Sequence, residues 1–378
     1  MKVALVHDHL TQAGGAESVL RVLHEIWPDA PIFTLVYNKN RMGPAYASMD
    51  IRTSWLQKIP GATHNCQPFL PFMPRATESY DLSEYDVVLS SSSALAKGVI
   101  TGDRTLHICY CHTPTRYLWS DTHRYVKELR YPGIIKAFIP PVLTRLRVWD
   151  QAAAGRVDEF IANSRAVSER IQKYYRRDSD VIHPPVDLKR FVTDGLSSPK
   201  PLSDGGYYLA GGRLVAYKRI DIIVKAFNRL GIPLKIFGSG QHENELKKLA
   251  RKNVEFLGYV PENDLPALFA GAAAFINPQV EDFGLTPIES MAAGRPVIAY
   301  RAGGACETVV QGRTGIFFDE QSWEALADAV VRFKSEEYNS EVITSYAKQF
   351  DVPTFQKRIK EFVEDRWSSF YQKQVACL

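Results

Sequence analysis

The 378-residue sequence has no apolar stretch that approaches the roughly 20 residues a helix needs to cross a bilayer. Its apolar start, residues 3–6, runs directly into His7 and Asp8, which does not fit a secretory signal peptide. The sequence holds only five cysteines, and their spacing matches neither a disulfide framework nor a zinc site. We therefore expect a reducing, cytoplasmic location.

The sequence also lacks a strong charge of either sign. A net charge of +4 is too small to indicate nucleic-acid binding. The basic residues are nevertheless unevenly placed, because residues 124–147 hold six of them against one acid, interleaved with aromatic and aliphatic residues. Such a segment suits peripheral contact with an anionic membrane, and it equally suits a solvated helix face over an apolar stripe. The six basic residues are Arg124, Lys127, Arg130, Lys136, Arg145 and Arg147.

Short apolar runs alternate with longer helical patterns along the chain, which predicts an α/β fold with parallel, doubly wound sheets. In the first half the predicted strands are 3–6, 87–89, 106–111 and 160–162. In the second half they are 207–210, 234–237, 254–257, 274–276 and 297–299. Ligands of such sheets bind at the carboxyl ends of the strands.

A proline-rich crossing separates the two halves. The pair Pro184-Pro185 is followed by a Ser-Ser-Pro-Lys-Pro segment at 197–201, and neither can continue a helix or a central strand. We expect an N-terminal domain over residues 1–185, with the amphipathic C-terminal helix of 355–378 packing back on it. Residues 186–354 form the second domain.

The most informative motif is Glu-Asp-Phe-Gly-Leu-Thr-Pro-Ile-Glu at 281–289, which follows a predicted strand and opens a predicted helix. Thr286 as N-cap and Glu289 three residues later form a capping box, which explains both residues structurally. It does not explain Glu281, nor the Phe-Gly-Leu segment at 283–285, which brings backbone N–H groups to a helix N-terminus suited to anions.

In this context the sequence resembles the family 4 retaining glycosyltransferases of GT-B architecture, which have two Rossmann-like domains facing across a cleft. The mark of that family is a glutamate, seven residues and a second glutamate, here Glu281 and Glu289. The resemblance runs through most of the chain. Its other pieces are Gly14-Gly15-Ala16-Glu17, Ala162-Asn163-Ser164, Gly211-Gly212-Arg213-Leu214 with Lys218, and Gly303-Gly304 followed by Glu307 and Gly315.

The resemblance implies roles for individual residues. Arg213 and Lys218 would hold the donor diphosphate and stabilise the charge on the leaving group, as cations can. Glu281 would bind sugar hydroxyls, Glu289 would accept from ribose hydroxyls, and His112 would contact the primary hydroxyl of the sugar or the diphosphate.

Backbone groups complete the implied donor site. The N–H groups of Phe283, Gly284 and Leu285 would support sugar or phosphate. The glycines Gly14 and Gly15 would let the backbone approach the donor closely. The base pocket would be lined by Gly238, Tyr259 and Val260.

The resemblance also implies a reaction course. The acceptor hydroxyl would attack from the side on which the diphosphate leaves, without a covalent intermediate, and an oxocarbenium-like state would be stabilised electrostatically. No metal and no cofactor are expected, because the sequence shows no clear Asp-x-Asp pair at a strand end.

The donor and acceptor follow from finer likenesses. Residues 109–119 look like the form seen in bacterial O-antigen and exopolysaccharide mannosyltransferases, which favours GDP-mannose, with UDP-glucose or another UDP-sugar as the alternative. The acceptor would be an oligosaccharide or a polyprenyl-diphosphate-linked saccharide at the inner face of the cytoplasmic membrane. Phe69, Leu70, Phe72 and Met73 suit such a lipid, although core packing explains them equally well.

Three rival functions remain at this stage. An NAD-dependent oxidoreductase would explain Gly238-x-Gly240 after a strand, but the fingerprint is incomplete because Glu243 stands where glycine is required. A non-catalytic nucleotide-sugar scaffold is disfavoured by the presence of Arg213, Lys218 and Glu281. A sugar-nucleotide epimerase of the same architecture lacks an evident catalytic acid pattern.

Overall fold

The computed structural model describes residues 1–129, 131–191 and 206–376. It divides into two compact units, one made of Met1–His183 with Phe355–Leu378 and the other of Pro184–Thr354. The predicted crossing at 197–201 lies outside the described residues, as do Arg130 and Cys377.

The first unit contains a parallel sheet in the order β3-β2-β1-β4-β5-β6-β7. Its strands are β1 Val3–His7, β2 Ile32–Thr34, β3 Ile51–Thr53, β4 Val87–Ser92, β5 Leu106–Cys111, β6 Glu159–Ala162 and β7 Asp180–Val181. Its helices are α1 Gly15–Ile26, α2 Lys39–Met42, α3 Met73–Thr77, α4 Thr122–Glu128, α5 Gly133–Gly155 and α6 Arg165–Tyr175.

The second unit contains a parallel sheet in the order β10-β9-β8-β11-β12-β13. Its strands are β8 Tyr207–Gly211, β9 Leu234–Phe237, β10 Val254–Gly258, β11 Ala272–Asn277, β12 Val297–Tyr300 and β13 Gly315–Phe318. Its helices are α7 Ile220–Leu230, α8 Glu243–Leu249, α9 Leu265–Ala270, α10 Leu285–Ala292, α11 Ala305–Thr308, α12 Trp323–Arg332 and α13 Ser340–Ala347.

The predicted strands are confirmed, and their burial explains why they were visible in the sequence. All residues of β1, β4, β5 and β11 are buried, so these strands read as continuous apolar or small-residue runs. The sequence interpretation missed β2, β3, β7 and β13. Three of them, β2, β3 and β7, have only two or three residues, too few for a distinct pattern, and β13 is a four-residue strand at the sheet edge.

The C-terminal helix α14, Val352–Ala376, begins three residues before the predicted start at Phe355. From Phe355 onward it packs on the first unit through a buried face that includes Ile359 and Val363. The Phe355 ring meets the Tyr110 ring edge-on at 5.7 Å, and Arg358 donates to the Val181 carbonyl at 2.8 Å. Across the described part of the chain, no helix has both the length and the apolar character needed to cross a membrane.

Candidate active site

Each sheet reverses its strand order at one point, and loops diverge there to leave a crevice at the carboxyl edge. In the second unit the reversal lies between β8 and β11, which are neighbours in the sheet although β9 and β10 intervene in sequence. The loop after β8 carries Arg213 and Lys218, and the loop after β11 carries Glu281. Topology therefore brings three predicted site residues together.

The centre of this crevice is an ion pair between the Lys218 ammonium and the Glu281 carboxylate. Their side chains are only 12% and 18% exposed, so the pair is largely shielded from water. Arg213 lies on the same loop with an exposed side chain and a long contact of 3.4 Å to the Tyr217 hydroxyl. The loop after β8 thus carries an exposed cation in addition to the paired Lys218.

The Glu281 carboxylate lies against the beginning of α10. A Cβ added to Gly284 would stand 3.1 Å from Glu281 Oε2, and Gly284 has a φ of +91°, which favours glycine. The Glu281 backbone is held separately, because its carbonyl accepts from the Gly304 N–H at 2.9 Å. A Cβ on Gly304 would approach the Phe283 carbonyl oxygen to 2.3 Å, so this loop contact requires glycine.

The predicted capping box at Thr286 and Glu289 is wrong. Helix α10 begins at Leu285 with Gly284 as its N-cap, and no side chain caps it. The left-handed turn at Gly284 starts the helix two residues earlier than expected, which places Thr286 and Pro287 inside the first turn. Proline is tolerated there because the N–H it lacks would have no partner within the helix.

Glu289 is consequently released from a capping role. No hydrogen bond or ion pair to its carboxylate is found among the described residues. Burial raises its pKa to about 7, against the opposing influence of the charge of Arg190. Arg190 pairs with Glu262 at 3.2 Å, and sequence reasoning gave no signal for either residue. Glu289 is thus a half-buried carboxyl whose oxygens can still accept hydrogen bonds.

The glycines after β9 have a packing function. Gly238 has a φ of +101°, and a Cβ there would reach the Gly212 carbonyl oxygen at 1.9 Å. A Cβ on Gly240 would stand 2.3 Å from the Leu214 carbonyl oxygen. These glycines bring two backbone loops together, which explains Gly238-x-Gly240 without a dinucleotide. Tyr259, just after β10, is 77% exposed.

Val260, by contrast, packs partly buried against the core of the second unit. Phe283 is also buried there, with its ring 5.6 Å from that of Phe350, whereas Leu285 is half-buried at the start of α10. Of the predicted base and phosphate contacts, the Tyr259 ring is therefore the exposed side chain.

In the first unit the order reverses between β1 and β4. Gly14 and Gly15 are exposed at the start of α1. A Cβ on Gly14 would meet Glu17 Oε2 at 2.9 Å, so the Glu17 carboxylate folds back over this glycine. Glu17 is buried and faces His7, rather than being a solvated first-turn acid.

His112 follows β5 and is buried, 9% exposed. Its Nε2 lies 2.8 Å from Ser91 Oγ, its carbonyl accepts from Asn163 Nδ2 at 2.9 Å, and its ring meets Tyr110 edge-on at 5.2 Å. The histidine is therefore held on several sides. Neither the Ser91 contact nor the Asn163 contact has a local sequence signal, because both come from neighbouring strands.

Asp8, directly after β1, was also missed. Its buried carboxylate accepts four backbone N–H groups, those of residues 93–96, at 2.6 to 2.9 Å. Burial alone would raise the pKa of Asp8, but the charge of His7 and these hydrogen bonds bring it below its ordinary value. Asp8 thereby fixes the loop after β4.

One Asp-x-Asp segment, at Asp178 and Asp180, was not weighed in the sequence. It lies at the amino end of β7, and its carboxylates accept from Gln172 at 3.3 Å and from Arg366 at 3.1 Å. Within the described ranges, no group of three or more His, Cys, Asp or Glu side chains is arranged to hold a metal ion.

Two family models match the chain. The model described as Glycosyltransferase Family 4 matches residues 13–190, and the model described as Glycosyl transferases group 1 matches residues 198–350. Together they cover the first unit from residue 13 up to its C-terminal helix, and most of the second.

Individual proteins give the same picture. Alpha-1,3/1,6-mannosyltransferase ALG2 of Dictyostelium discoideum is 26% identical, over 61% of this chain and 63% of its own. A GDP-mannose-dependent alpha-(1-6)-phosphatidylinositol monomannoside mannosyltransferase of Mycobacterium tuberculosis is 34% identical, over 40% of this chain and 45% of its own. The matches thus span about half to three fifths of these relatives.

A solved structure shares the fold over nearly the whole chain. The crystal structure of Anabaena Alr3699/HepE in complex with UDP superposes with a TM-score of 0.69, covering 97% of this chain and 100% of that chain. The sequence identity is 20%, so this likeness concerns the fold.

Proposed function

Because the chain belongs to the GT-B glycosyltransferases, with a Family 4 domain followed by a group 1 domain, we propose that it transfers α-mannose from GDP-mannose with retention of configuration. The acceptor is a lipid-linked saccharide or an oligosaccharide in cell-surface polysaccharide synthesis. The mannosyltransferase names of two relatives support the donor. A UDP-sugar is the alternative donor. The family match removes the support for an NAD-dependent oxidoreductase.

The observation that carries this proposal is the shielded Lys218–Glu281 pair beside the beginning of α10. In the free protein each charge neutralises the other. A bound donor would present a diphosphate to Lys218 and Arg213, and sugar hydroxyls to Glu281, so each group would exchange its partner for one on the donor. Charge that develops on the diphosphate as it leaves then meets cations already in place.

The bond changes balance without a metal or a cofactor. The bond between the anomeric carbon and the phosphate oxygen breaks as the acceptor oxygen bonds that carbon from the same side. The acceptor proton passes to an oxygen of the departing diphosphate. The protein needs to bind, orient and neutralise charge, and it needs no nucleophile of its own.

The acceptor side of the proposal draws on the surface of α4 and α5. A groove of about 330 Å³ is lined almost wholly by apolar side chains from residues 67–71 and 125–143. Phe138, at its edge, is 70% exposed, and Arg124, Lys127 and Arg145 are exposed nearby in sequence. We propose that this surface touches the anionic inner face of the cytoplasmic membrane.

Not every residue predicted for that surface serves it. Arg147 donates to the Leu118 carbonyl at 2.7 Å and stacks on Trp119, so it is a structural residue. Met73 is buried and Phe69 packs against the core, whereas Phe72 is 55% exposed. Leu70 packs against the core and also lines the groove.

A panel of nucleotide sugars tests the donor. GDP-mannose should raise the melting temperature more than UDP-glucose or GDP alone, and it should be consumed with an acceptor extract in the presence of EDTA. NMR of the product should show an α-linkage. A larger response to a UDP-sugar would replace the donor, a β-linkage would overturn retention, and complete loss of transfer in EDTA would overturn metal independence.

Vesicle binding tests the membrane contact. Phe138→Asp should weaken sedimentation with vesicles that contain anionic lipid, because it places a carboxylate on the contact surface. Val331→Asp, at a residue of similar exposure on α12, is the matched control. Equal binding by both variants would contradict the proposed surface.

A further inference from the structure

A second link joins the two loops that carry Lys218 and Glu281, apart from the ion pair between those residues. Arg219 donates from Nη1 to Gln321 Oε1 at 3.1 Å, and Gln321 Nε2 donates to the Pro278 carbonyl at 2.9 Å. Arg219 directly follows Lys218, and Pro278 follows β11, three residues before Glu281. Gln321 lies in the loop after β13. This connection, called the Gln321 bridge below, joins three loops at the carboxyl edge of the sheet.

The chemistry of the groups fixes the bridge at both ends. A guanidinium only donates and a carbonyl only accepts, so the Gln321 amide makes both contacts in one orientation, with its oxygen toward Arg219. The Arg219 guanidinium is also fixed from its other side, since its Nε and Nη2 contact the two Asp221 carboxylate oxygens at 3.1 and 3.4 Å. Gln321 is half-buried. The bridge is therefore a directed set of hydrogen bonds rather than a loose surface contact.

The backbone of Arg219 has an unusual conformation. Its φ of 52° and ψ of 34° lie in the left-handed region, although it is the N-cap of α7, a position that is usually extended. Arg176, the other described non-glycine residue with a positive φ, ends a helix, where that conformation is common. Such a backbone costs free energy and persists only where the surrounding contacts impose it. The contacts of the Arg219 guanidinium thus act on the turn that also places Lys218.

The proposed function gives the bridge its purpose. When a donor exchanges the Lys218–Glu281 contact for contacts of its own, the ion pair no longer links the loops. The position of both side chains then decides the rate, because a small misplacement in a reacting complex is costly. The Gln321 bridge uses neither of these side chains, so it persists.

We propose that Arg219 and Gln321 are positioning residues, which keep Lys218 and Glu281 at a fixed spacing after a donor has separated them. This inference rests on the proposed function, in which the bound donor opens the ion pair. It adds that the site is held by a loop that carries none of the predicted donor contacts, the loop after β13.

Hydrogen exchange followed by NMR tests the bridge without any donor. Lys218→Ala removes the ion pair and thus imitates its separation, so the bridge then has to hold the loop after β11. The reporter is the Gly304 N–H, which donates to the Glu281 carbonyl at 2.9 Å. Adding Gln321→Ala to Lys218→Ala should speed exchange at Gly304 by about 10-fold, as expected for the loss of a hydrogen-bonded link. With the ion pair intact, Gln321→Ala should change that exchange by less than about twofold.

Kinetics test the positioning role. Gln321→Ala should lower kcat by about 10-fold and change the donor KM by less than about twofold, because charge that develops in the transition state depends most on where the cation stands. Asn253→Ala is the matched control. Asn253 is half-buried, and its amide makes two hydrogen bonds of 2.8 Å, to the Phe227 and Ile232 carbonyls, at the opposite edge of the sheet. Both variants should lose similar thermal stability, but only Gln321→Ala should lose kcat.

Two further variants separate the bridge from local stability. Gln321→Glu keeps an acceptor for Arg219 but turns a carboxylate toward the Pro278 carbonyl, so kcat should fall as in Gln321→Ala although the Arg219 contact remains. Arg219→Gly permits the left-handed turn and removes the guanidinium. It should therefore keep its thermal stability and still lose kcat by about 10-fold.

An unchanged kcat in either Gln321→Glu or Arg219→Gly would overturn the inference. So would equal exchange at Gly304 with and without Gln321→Ala in the Lys218→Ala protein. An equal loss of kcat in Asn253→Ala would also overturn it, because that loss would reflect general destabilisation. A nucleotide-sugar panel without any response would overturn the proposed function, while the exchange experiment would still decide whether the bridge holds the loops.

Discussion

Replacing Lys218 with alanine tests how much the Lys218–Glu281 pair contributes to folding stability and to the rate of the proposed reaction. In the free protein the change leaves Glu281 with a carboxylate that is 18% exposed and has lost its cation. An unpaired polar group of this kind costs about 1–3 kcal/mol of folding stability. Under the proposed function it also removes a cation at the leaving diphosphate, and the expected loss of kcat/KM is on the order of 100-fold, about 2.7 kcal/mol.

The double variant Lys218→Ala with Glu281→Ala separates the two effects. It leaves neither charge unpaired, so it should be more stable than the Lys218→Ala variant. The loop should stay in place, since Gly304 holds the Glu281 backbone. Its activity should nevertheless be no higher than that of either single variant, because both donor contacts are gone. Stability would thus recover while catalysis would not.

The assay is the initial rate of nucleoside diphosphate release over a range of donor concentrations, with thermal unfolding of the same samples. Lys247→Ala is the control, because Lys247 forms an exposed pair with Glu243 on α8 at 2.7 Å. Such pairs contribute about 0–1 kcal/mol, and the rate should stay within about twofold. Unchanged rates in Lys218→Ala, or a double variant as active as the unaltered protein, would refute the catalytic assignment.

Two further predictions concern buried charges. The buried Asp150 carboxylate accepts hydrogen bonds at 2.5 to 2.9 Å from Lys97, Thr115, Trp119 and Tyr175. Asp150→Asn should therefore lower the free energy of unfolding, measured by denaturant titration, by about 3–5 kcal/mol. A loss under about 1 kcal/mol would contradict this prediction. Burial raises the pKa of Glu289 to about 7, so its carboxylate becomes ionised as the pH rises from 6 to 8. If Glu289 accepts from the ribose hydroxyls of the donor, the donor KM should fall over this range. The folded form binds the proton more tightly than the unfolded one, so stability should decline with pH up to about 7 and then level off. Glu289→Gln should abolish both trends, and a KM that still depends on pH in that variant would exclude Glu289 as the cause.

Much of the fold could be predicted because its central strands are buried on both sides. Such strands appear in the sequence as apolar runs between turns, as β5 shows over its full length. Edge strands such as β3 and β7 have two or three residues and depend on pairing with a neighbour, which no local pattern displays. The C-terminal helix was recognised, but its ends were not, because helix ends depend on caps and contacts.

The site was predictable only where a motif lies within one loop. Glu281 and Lys218 were found through motifs, whereas their ion pair depends on β8 and β11 being neighbours in the sheet. The capping box failed for a local reason, since the left-handed turn at Gly284 begins the helix before Thr286. Asp8, His7 and Ser91 escaped notice because their partners come from other strands.

Charged side chains near the strand-order reversal are buried in the first unit and partly exposed in the second, and this difference supports the proposed chemistry. In the first unit the charges are buried and satisfied internally, as with Asp8 and its four backbone donors or Glu17 beside His7. In the second unit Arg213 is exposed and the Lys218–Glu281 pair keeps some access to solvent. Satisfied groups make a rigid frame that suits neutral hydroxyls, which need directed hydrogen bonds rather than net charge.

A nucleoside diphosphate needs a site whose charges are not already satisfied within the protein. It carries its own charge and gains more as a leaving group, so cations with some access to solvent are required, and a carboxylate that can give up one of them. The second unit supplies that combination at its reversal point. Under the proposed function, changes at Arg213 and Lys218 should therefore act on every donor with a diphosphate, while changes at Glu281 should act on the sugar and depend on which hydroxyls it presents. A comparison of several nucleotide sugars with each variant would reveal this split, and equal losses across all donors for Glu281→Ala would contradict it.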